Sequence, residues 1–110
     1  MVIDKLKAIN NPYERKYRVT HFVPEVTFEG GDKKPDFGEV TIVYIPSVDL
    51  IELKSLKYYF YQFRNKKFSY ERFVNVVFDD ISLRYKPVYL KVSLRTMPRG
   101  GISSLLEVES

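Results

Sequence analysis

The stretch Glu52-Leu53-Lys54-Ser55-Leu56-Lys57-Tyr58-Tyr59 separates its charged, apolar and aromatic residues onto different faces of a helix. The apolar positions recur at the three-and-four spacing of a buried helical stripe, which predicts burial of Leu53, Leu56, Phe60 and Phe63. The residues between them are basic or aromatic and point the other way, namely Lys54, Lys57, Tyr61 and Arg64. The sequence therefore predicts an amphipathic helix over residues 50–65 with a basic, tyrosine-bearing outer face.

The segments on either side of this helix predict four strands and one further helix. Alternating apolar residues predict strands over residues 17–27, 38–45, 88–97 and 102–108. Pro24 cannot donate to a strand ladder, so it predicts an edge position or a bulge in the first of them. Turn formers and charges predict a loop over residues 28–37, and the Asn-Asn-Pro break predicts that residues 1–16 are a tail on a single domain spanning residues 17–110.

The second helix is predicted over residues 69–85, with Ser69 as its N-cap. Its buried stripe is predicted to contain Val74, Val77, Phe78, Ile81 and Tyr85, which leaves Phe73, Val76 and Leu83 off the stripe. The order strand, strand, helix, helix, strand, strand predicts an α+β fold with an antiparallel four-stranded sheet and both helices on one face. Such a sheet has two free edges, which favours pairing with neighbouring subunits.

The amino-acid composition limits which cofactors, locations and partners the protein can have. The 110 residues include no cysteine and one histidine, His21, so disulfides and thiolate metal sites are excluded and no metal is expected. No apolar run is long enough for a membrane span, and residues 1–7 lack the apolar region of a secretory signal, so the expected location is the cytoplasm. The net charge of +4 suits a dinucleotide phosphate or RNA equally.

The opening octet resembles the Glu-Ser-Lys-Ser-Leu-Lys-Leu-Tyr signature of the QueF family, with six of eight positions matching. Further stretches resemble the same family in the same order: Asn11-Pro12-Tyr13, Pro24-Glu25-Val26-Thr27, Pro35-Asp36-Phe37-Gly38 leading to Tyr44-Ile45-Pro46, and Pro98-Arg99-Gly100-Gly101-Ile102. The resemblance implies the tunnelling fold, in which subunits join their sheets into a barrel, rings stack, and binding sites lie between subunits. It also implies NADPH-dependent reduction of 7-cyano-7-deazaguanine (preQ0) in queuosine biosynthesis, a tRNA modification pathway.

In that family a cysteine thiolate adds to the nitrile carbon of the base, and hydrides from NADPH reduce the covalent thioimide. The resemblance implies that Asp36 handles the proton. The cysteine position holds Glu29, and the family's Cys-Pro-Lys-Thr-Gly-Gln run is rewritten throughout this segment. A carboxylate adduct of a nitrile would rearrange or revert, so the covalent mechanism is not available to this sequence.

The resemblance also implies a set of binding residues. Glu71 takes the place of the glutamate that accepts hydrogen bonds from the amino-pyrimidine edge of the base, and Tyr70 replaces the family's histidine beside it. The cofactor-binding residues implied for NADPH are Glu52, Lys54, Ser55, Lys57, Arg99 and Gly100. No Gly-x-Gly-x-x-Gly follows a predicted strand, so any dinucleotide binding here is not of the Rossmann type.

Two alternatives to a reductase stay open at this point. The first is a binding module that holds a purine, deazapurine or pterin base between subunits without reducing it, which requires only Glu71 and aromatic stacking. The second resembles the archaeosine-forming tRNA amidinotransferases, which also act on the nitrile but use tRNA. Those relatives employ a cysteine and lack the reductase cofactor signature that this chain retains, so tRNA is not the favoured partner.

Overall fold

Eight regular elements build the chain in a computed structural model that describes residues 5–30 and 35–110. The strands are β1 (Ala8–Asn10), β2 (Val19–Glu29), β3 (Pro35–Ile45), β4 (Asp49–Ile51), β5 (Tyr89–Thr96) and β6 (Leu105–Glu109). The helices are α1 (Leu53–Tyr61) and α2 (Tyr70–Tyr85). Neither helix is long and apolar enough to cross a membrane, as far as the described residues go.

The main sheet has the order β2-β3-β5-β6, and every neighbouring pair in it is antiparallel. Helix α1 packs against β2, and α2 packs against β5 and β6. The strand-strand-helix-helix-strand-strand order of the main elements confirms the predicted α+β fold. Strands β2 and β6 are the two edges of this sheet in the protomer.

The core lies between the sheet and the two helices. Alternate residues of the central strands are buried there: Val40, Ile42 and Tyr44 from β3, and Leu90, Val92 and Leu94 from β5. The period-two alternation of a strand places these side chains on one face, and burial of apolar surface stabilises that face against the helices. Thr41 and Val43, on the opposite face of β3, are half-buried.

The predicted helical stripes differ from the structure at four residues. Leu53, predicted in the stripe of α1, is 59% exposed because it is the first residue of the helix, whereas Tyr59, which the predicted stripe did not include, is fully buried. Phe73 is also fully buried, although the pattern put it off the stripe of α2, because it stacks on Phe28 with ring centroids 4.6 Å apart. Phe78, predicted to be in the stripe, is half-buried.

Three predicted boundaries were wrong, because strand pairing orders residues that local patterns leave outside the elements. Residues 8–10 were predicted as part of a tail, but they form β1 and pair with β4, so Ala8 lies opposite Ile51. This pairing makes residues 49–51 a strand, and α1 starts only at Leu53. Strand β2 extends to Glu29 and strand β3 begins at Pro35. The connection between them is therefore shorter than the predicted loop over residues 28–37.

Pro24 lies at an irregularity in the edge strand, as predicted. The register of β2 against β3 shifts between Val23 and Val26, and β2 is at the edge of the sheet. Because proline has no N–H to donate, a bulge on an edge strand accommodates it without losing a ladder hydrogen bond.

The segment before β1 is fixed to both helices. Leu6 is buried, its carbonyl accepts from Arg84 Nε at 2.9 Å, and the Lys7 carbonyl accepts from Tyr85 Oη at 2.7 Å. The Lys7 N–H donates to Ser55 Oγ at 2.9 Å. The N-terminal segment is therefore an integral part of the helix layer.

Candidate functional site

Asp36 is a buried carboxylate near the start of β3. It forms an ion pair with the Arg99 guanidinium, and its Oδ1 accepts a hydrogen bond from Tyr70 Oη at 3.2 Å. A buried charge is costly unless it is paired and hydrogen-bonded, and these two partners meet that requirement. The structure thus brings together three residues predicted to be functional from three separate stretches.

Tyr70 and Glu71 are the first two residues of α2, and Tyr70 is the one whose side chain reaches Asp36. Ser69 caps the helix, because its side chain accepts from the Arg72 N–H at 3.1 Å, as predicted. The Tyr70 ring meets Phe28 edge-on with centroids 5.9 Å apart, which directs its hydroxyl toward Asp36. Glu71 follows in the first turn with an exposed side chain, where the positive end of the helix dipole favours a carboxylate.

Arg99 reaches Asp36 from a tight hairpin turn. Arg99 and Ile102 exchange backbone hydrogen bonds of 2.8 and 3.1 Å across Gly100 and Gly101, whose φ angles are +60° and +81°. Two consecutive residues with positive φ define a type I′ turn, which glycine adopts without steric cost. The Gly-Gly pair is therefore explained by the turn, and the predicted cofactor role of Gly100 is not needed to account for it.

Glu29 does not join the cluster, although its strand is adjacent. In the β2–β3 register Phe28 lies opposite Asp36 and Glu29 lies opposite Pro35. Because successive side chains of a strand point to opposite faces, Glu29 and Asp36 lie on different faces of the sheet. The protomer therefore does not bring Glu29, at the family's cysteine position, onto the face that carries Asp36, and a catalytic role for either residue stays a prediction.

Two of the predicted cofactor residues have structural roles at the start of α1. Glu52 is the N-cap, and its carboxylate accepts from the Lys54 and Ser55 N–H groups at 2.7 and 3.0 Å. Ser55 is buried, and its hydroxyl donates to the Glu52 carbonyl at 2.7 Å while it accepts from Lys7 N–H. Ser55 therefore has a structural role inside the protomer, and its predicted contact with a cofactor stays a prediction.

Lys54 and Lys57 are exposed on the outer face of α1, as the pattern predicts. Arg99 is paired with Asp36 and Ser55 is buried, whereas the two lysines present exposed cations of the kind that bind phosphates. The assignment of the set to NADPH stays a prediction, and no reaction step follows from it. Within residues 5–30 and 35–110 no group of three or more histidine, cysteine or acidic residues is placed to hold a metal ion.

Comparison with known proteins identifies the family. A family model described as QueF-like protein matches residues 35–110, which contain Asp36, Tyr70, Glu71 and Arg99. The chain belongs to the QueF-like family. This match confirms the family membership that the sequence motifs indicated.

The curated relatives of this QueF-like chain include two reductases of matching length. The NADPH-dependent 7-cyano-7-deazaguanine reductase of Chlorobium chlorochromatii is 38% identical over 113 residues, covering 98% of this chain and 95% of the relative. The enzyme of the same name from Chloroherpeton thalassium is 39% identical over 101 residues, covering 90% of this chain and 87% of the relative.

A solved structure shares the fold. The apo crystal structure of the archaeosine synthase QueF-Like superposes with a TM-score of 0.75 and covers 86% of this chain and 92% of its own, at 19% sequence identity. This likeness, at such low identity, concerns the fold and confirms the tunnelling-fold assignment of the QueF-like chain.

The burial of His21 could not be predicted from the sequence. His21 lies on the helix side of β2, its ring centroid is 5.9 Å from that of Tyr44, and its Nε2 is buried without a hydrogen-bond partner among the described residues. Burial lowers the pKa of His21 below its ordinary value of 6.5. No local pattern could have indicated this, because the burial comes from α1 and β3.

Proposed function

We propose that this chain binds 7-cyano-7-deazaguanine, or a closely related 7-deazaguanine, at the cluster of Asp36, Tyr70, Glu71 and Arg99. The observation that supports this most directly is the Tyr70–Asp36 hydrogen bond, which joins the two family stretches carrying the implied base-binding and proton-handling residues. Glu71 follows Tyr70 directly in the first turn of α2 and is exposed. Two carboxylate oxygens match the two parallel N–H donors of an amino-pyrimidine edge.

The proposal places the protein in 7-deazaguanine metabolism without a covalent intermediate. Thioimide formation requires a cysteine thiolate, and the 110 residues contain none. Glu29, which stands at the family's cysteine position, lies on the other face of the sheet from Asp36. Binding of the base is therefore the part of the family's activity that these residues support best.

Calorimetry with 7-cyano-7-deazaguanine tests the binding. Glu71→Gln should weaken binding at least about tenfold, because the amide replaces one of two acceptor oxygens with a donor. Glu14→Gln is the matched control, since Glu14 is an exposed glutamate in the segment between β1 and β2 and should leave the affinity unchanged. Equal affinity in the wild type and Glu71→Gln would refute the assignment of Glu71.

A second candidate is NADPH-dependent nitrile reduction by a route without the thioimide. It is favoured by the names of the relatives and by the six retained positions of the Glu52–Tyr59 octet. The test incubates protein, base and NADPH, follows NADPH oxidation and detects the aminomethyl product by mass spectrometry. Two NADPH and two protons per nitrile are needed for balance. Binding without product would support the first candidate alone.

We further propose that the base site is completed by a second copy of the chain, as implied by the family. The free edges β2 and β6 support this, since unpaired strand edges readily accept another strand. Light scattering during gel filtration should give a mass of at least twice the 13.0 kDa of one chain. A monomer at the concentrations used for calorimetry would contradict this proposal without affecting the test of Glu71.

A further inference from the structure

Phe28 is a fully buried residue at the end of β2 that packs directly behind the base site. It lies opposite Asp36 in the β2–β3 register. Its ring meets the Tyr70 ring edge-on, with the two planes at 84°. The tyrosine that donates a hydrogen bond to Asp36 therefore rests against the residue that faces Asp36 across the sheet.

The bulge in β2 puts Phe28 on this face of the sheet. The register against β3 shifts between Val23 and Val26, where β2 contains one residue more than the facing segment of β3. Before the shift the odd-numbered residues of β2 are the less exposed ones, and after it the even-numbered residues are buried. One extra residue exchanges the two faces of a strand, so Phe28, and not Glu29, faces the helices. The bulge therefore decides which side chain of this strand end lies beside Asp36.

Phe28 is held against the start of α2 by its ring and by the backbone beside it. The ring stacks on Phe73 with the two planes at 17°, so it makes one stacked and one edge-on contact with residues of the first turn of the helix. The Glu29 N–H donates to the Lys66 carbonyl at 2.8 Å, and the Phe68 N–H donates to the Glu29 carbonyl at 3.0 Å. The end of β2 and the start of α2 are therefore fixed to each other around Phe28.

We propose that Phe28 is a positioning residue of the base site, on which the affinity for the base depends through Tyr70. The inference rests on the proposed function for the identity of the ligand, whereas the contacts that support it lie within the protomer. A binding site keeps its geometry only where neighbouring side chains lock those that meet the ligand, and the edge-on ring contact restricts Tyr70 in this way. Phe28 acts by holding the Tyr70 hydroxyl against Asp36 and needs no contact with the base.

Calorimetry with 7-cyano-7-deazaguanine tests the dependence on Tyr70. Phe28→Leu should weaken binding about tenfold, because Tyr70 loses the ring that directs its hydroxyl. Tyr70→Phe, which removes the hydroxyl, should weaken binding by about the same factor. The double variant should also bind about tenfold more weakly than the wild type, and not about a hundredfold, since both changes remove the same hydrogen bond.

Phe60→Leu is the matched control, since Phe60 is a buried residue of α1 whose ring contacts Tyr59 and Phe63. It should lower the stability as Phe28→Leu does, because each change removes a ring from the same core, but it should leave the affinity for the base unchanged. Urea unfolding verifies that each variant is folded under the conditions of the calorimetry. Equal losses of affinity in Phe28→Leu and Phe60→Leu, or a loss of about a hundredfold in the double variant, would overturn the proposal.

Crystal structures of the two leucine variants without ligand separate this proposal from the proposed function. The Tyr70 hydroxyl lies 3.2 Å from Asp36 Oδ1, and it should move beyond hydrogen-bond distance in Phe28→Leu but keep its place in Phe60→Leu. If Phe28→Leu retains the contact, the positioning role is wrong even where the base binds. If Phe28→Leu alone loses the contact and the wild type does not bind the base, the proposed function is wrong and the positioning of Tyr70 by Phe28 is supported.

Discussion

At the scale of single residues, Asp36 determines what the candidate site can do. Its carboxylate is buried, paired with Arg99 and hydrogen-bonded by Tyr70. Arg99, in contrast, leaves 43% of its side chain exposed, so water can solvate the guanidinium if the pair is broken. Loss of Arg99 therefore leaves Asp36 as a buried, unpaired charge, whereas loss of Asp36 leaves Arg99 partly solvated.

This asymmetry predicts the outcome of a double-mutant cycle. Arg99→Gln should lower the free energy of unfolding by about 2 kcal/mol, because it leaves a buried carboxylate without its countercharge. Asp36→Asn should cost less, since the freed guanidinium reaches solvent. The double variant should cost about 1 kcal/mol less than the sum of the single variants. Urea unfolding measures all four proteins, and strictly additive costs would contradict the pairing.

At the scale of elements, α1 shows that residues of a family signature can also stabilise the fold. The burial of Leu56, Phe60 and Phe63 and the exposure of its lysines could be predicted from spacing. The N-cap role of Glu52 and the burial of Ser55 could not, because they depend on the N-terminal segment that packs beside the helix start. Sequence similarity alone does not distinguish a residue that binds a ligand from one that positions the backbone.

The cap can be separated from a cofactor role by substitution. Glu52→Ala should lower the free energy of unfolding by about 1 kcal/mol, since two backbone N–H groups lose their acceptor. Glu52→Gln keeps an acceptor oxygen and should recover part of that loss. If Glu52 acts only as the cap, NADPH affinity measured by fluorescence should be the same in Glu52→Gln and the wild type. A selective loss of NADPH binding at unchanged stability would show a direct contact instead.

The end of α2 offers a stabilising change. Lys86 is the C-cap with φ +47°, and its N–H donates to the Ser82 carbonyl at 3.0 Å. A side chain in this left-handed conformation is strained, whereas glycine adopts it freely. Lys86→Gly should therefore raise the free energy of unfolding by up to about 1 kcal/mol, as measured by urea unfolding. Lys86→Ala keeps the Cβ and serves as the control, which should show little gain.

At the scale of the whole molecule, buried tyrosines connect the helix layer. Tyr59 Oη donates to Asp80 Oδ2 at 2.6 Å and thereby ties α1 to α2. Tyr85 Oη donates to the Lys7 carbonyl and ties α2 to the N-terminal segment. Burial raises the pKa of Tyr85 to about 12, and burial together with Asp80 raises the pKa of Tyr59 well above its ordinary value of 10.0.

These raised pKa values predict loss of stability in alkali. The unfolded chain releases the tyrosine protons near pH 10 and the folded chain holds them longer, so the stabilisation is complete below about pH 10 and is lost as pH rises toward 12. Tyr85→Phe should be less stable at neutral pH, because the Lys7 carbonyl loses a donor, yet its stability should fall less steeply over this range. Thermal unfolding at a series of pH values measures both effects. Parallel curves for the two proteins would contradict the prediction.

The sequence by itself determined the family, the α+β class and most of the strands and helices of this chain. It could do so because alternation with period two and the three-and-four helical spacing are local consequences of burying one face of each element. The tertiary structure alone decided which motif residues meet. Asp36 and Arg99 are 63 residues apart, and their pairing depends on the register of β3 with β5 and on a two-glycine turn. Burial of Ser55 and separation of Glu29 from Asp36 likewise arise from packing and strand register, which no local spacing encodes.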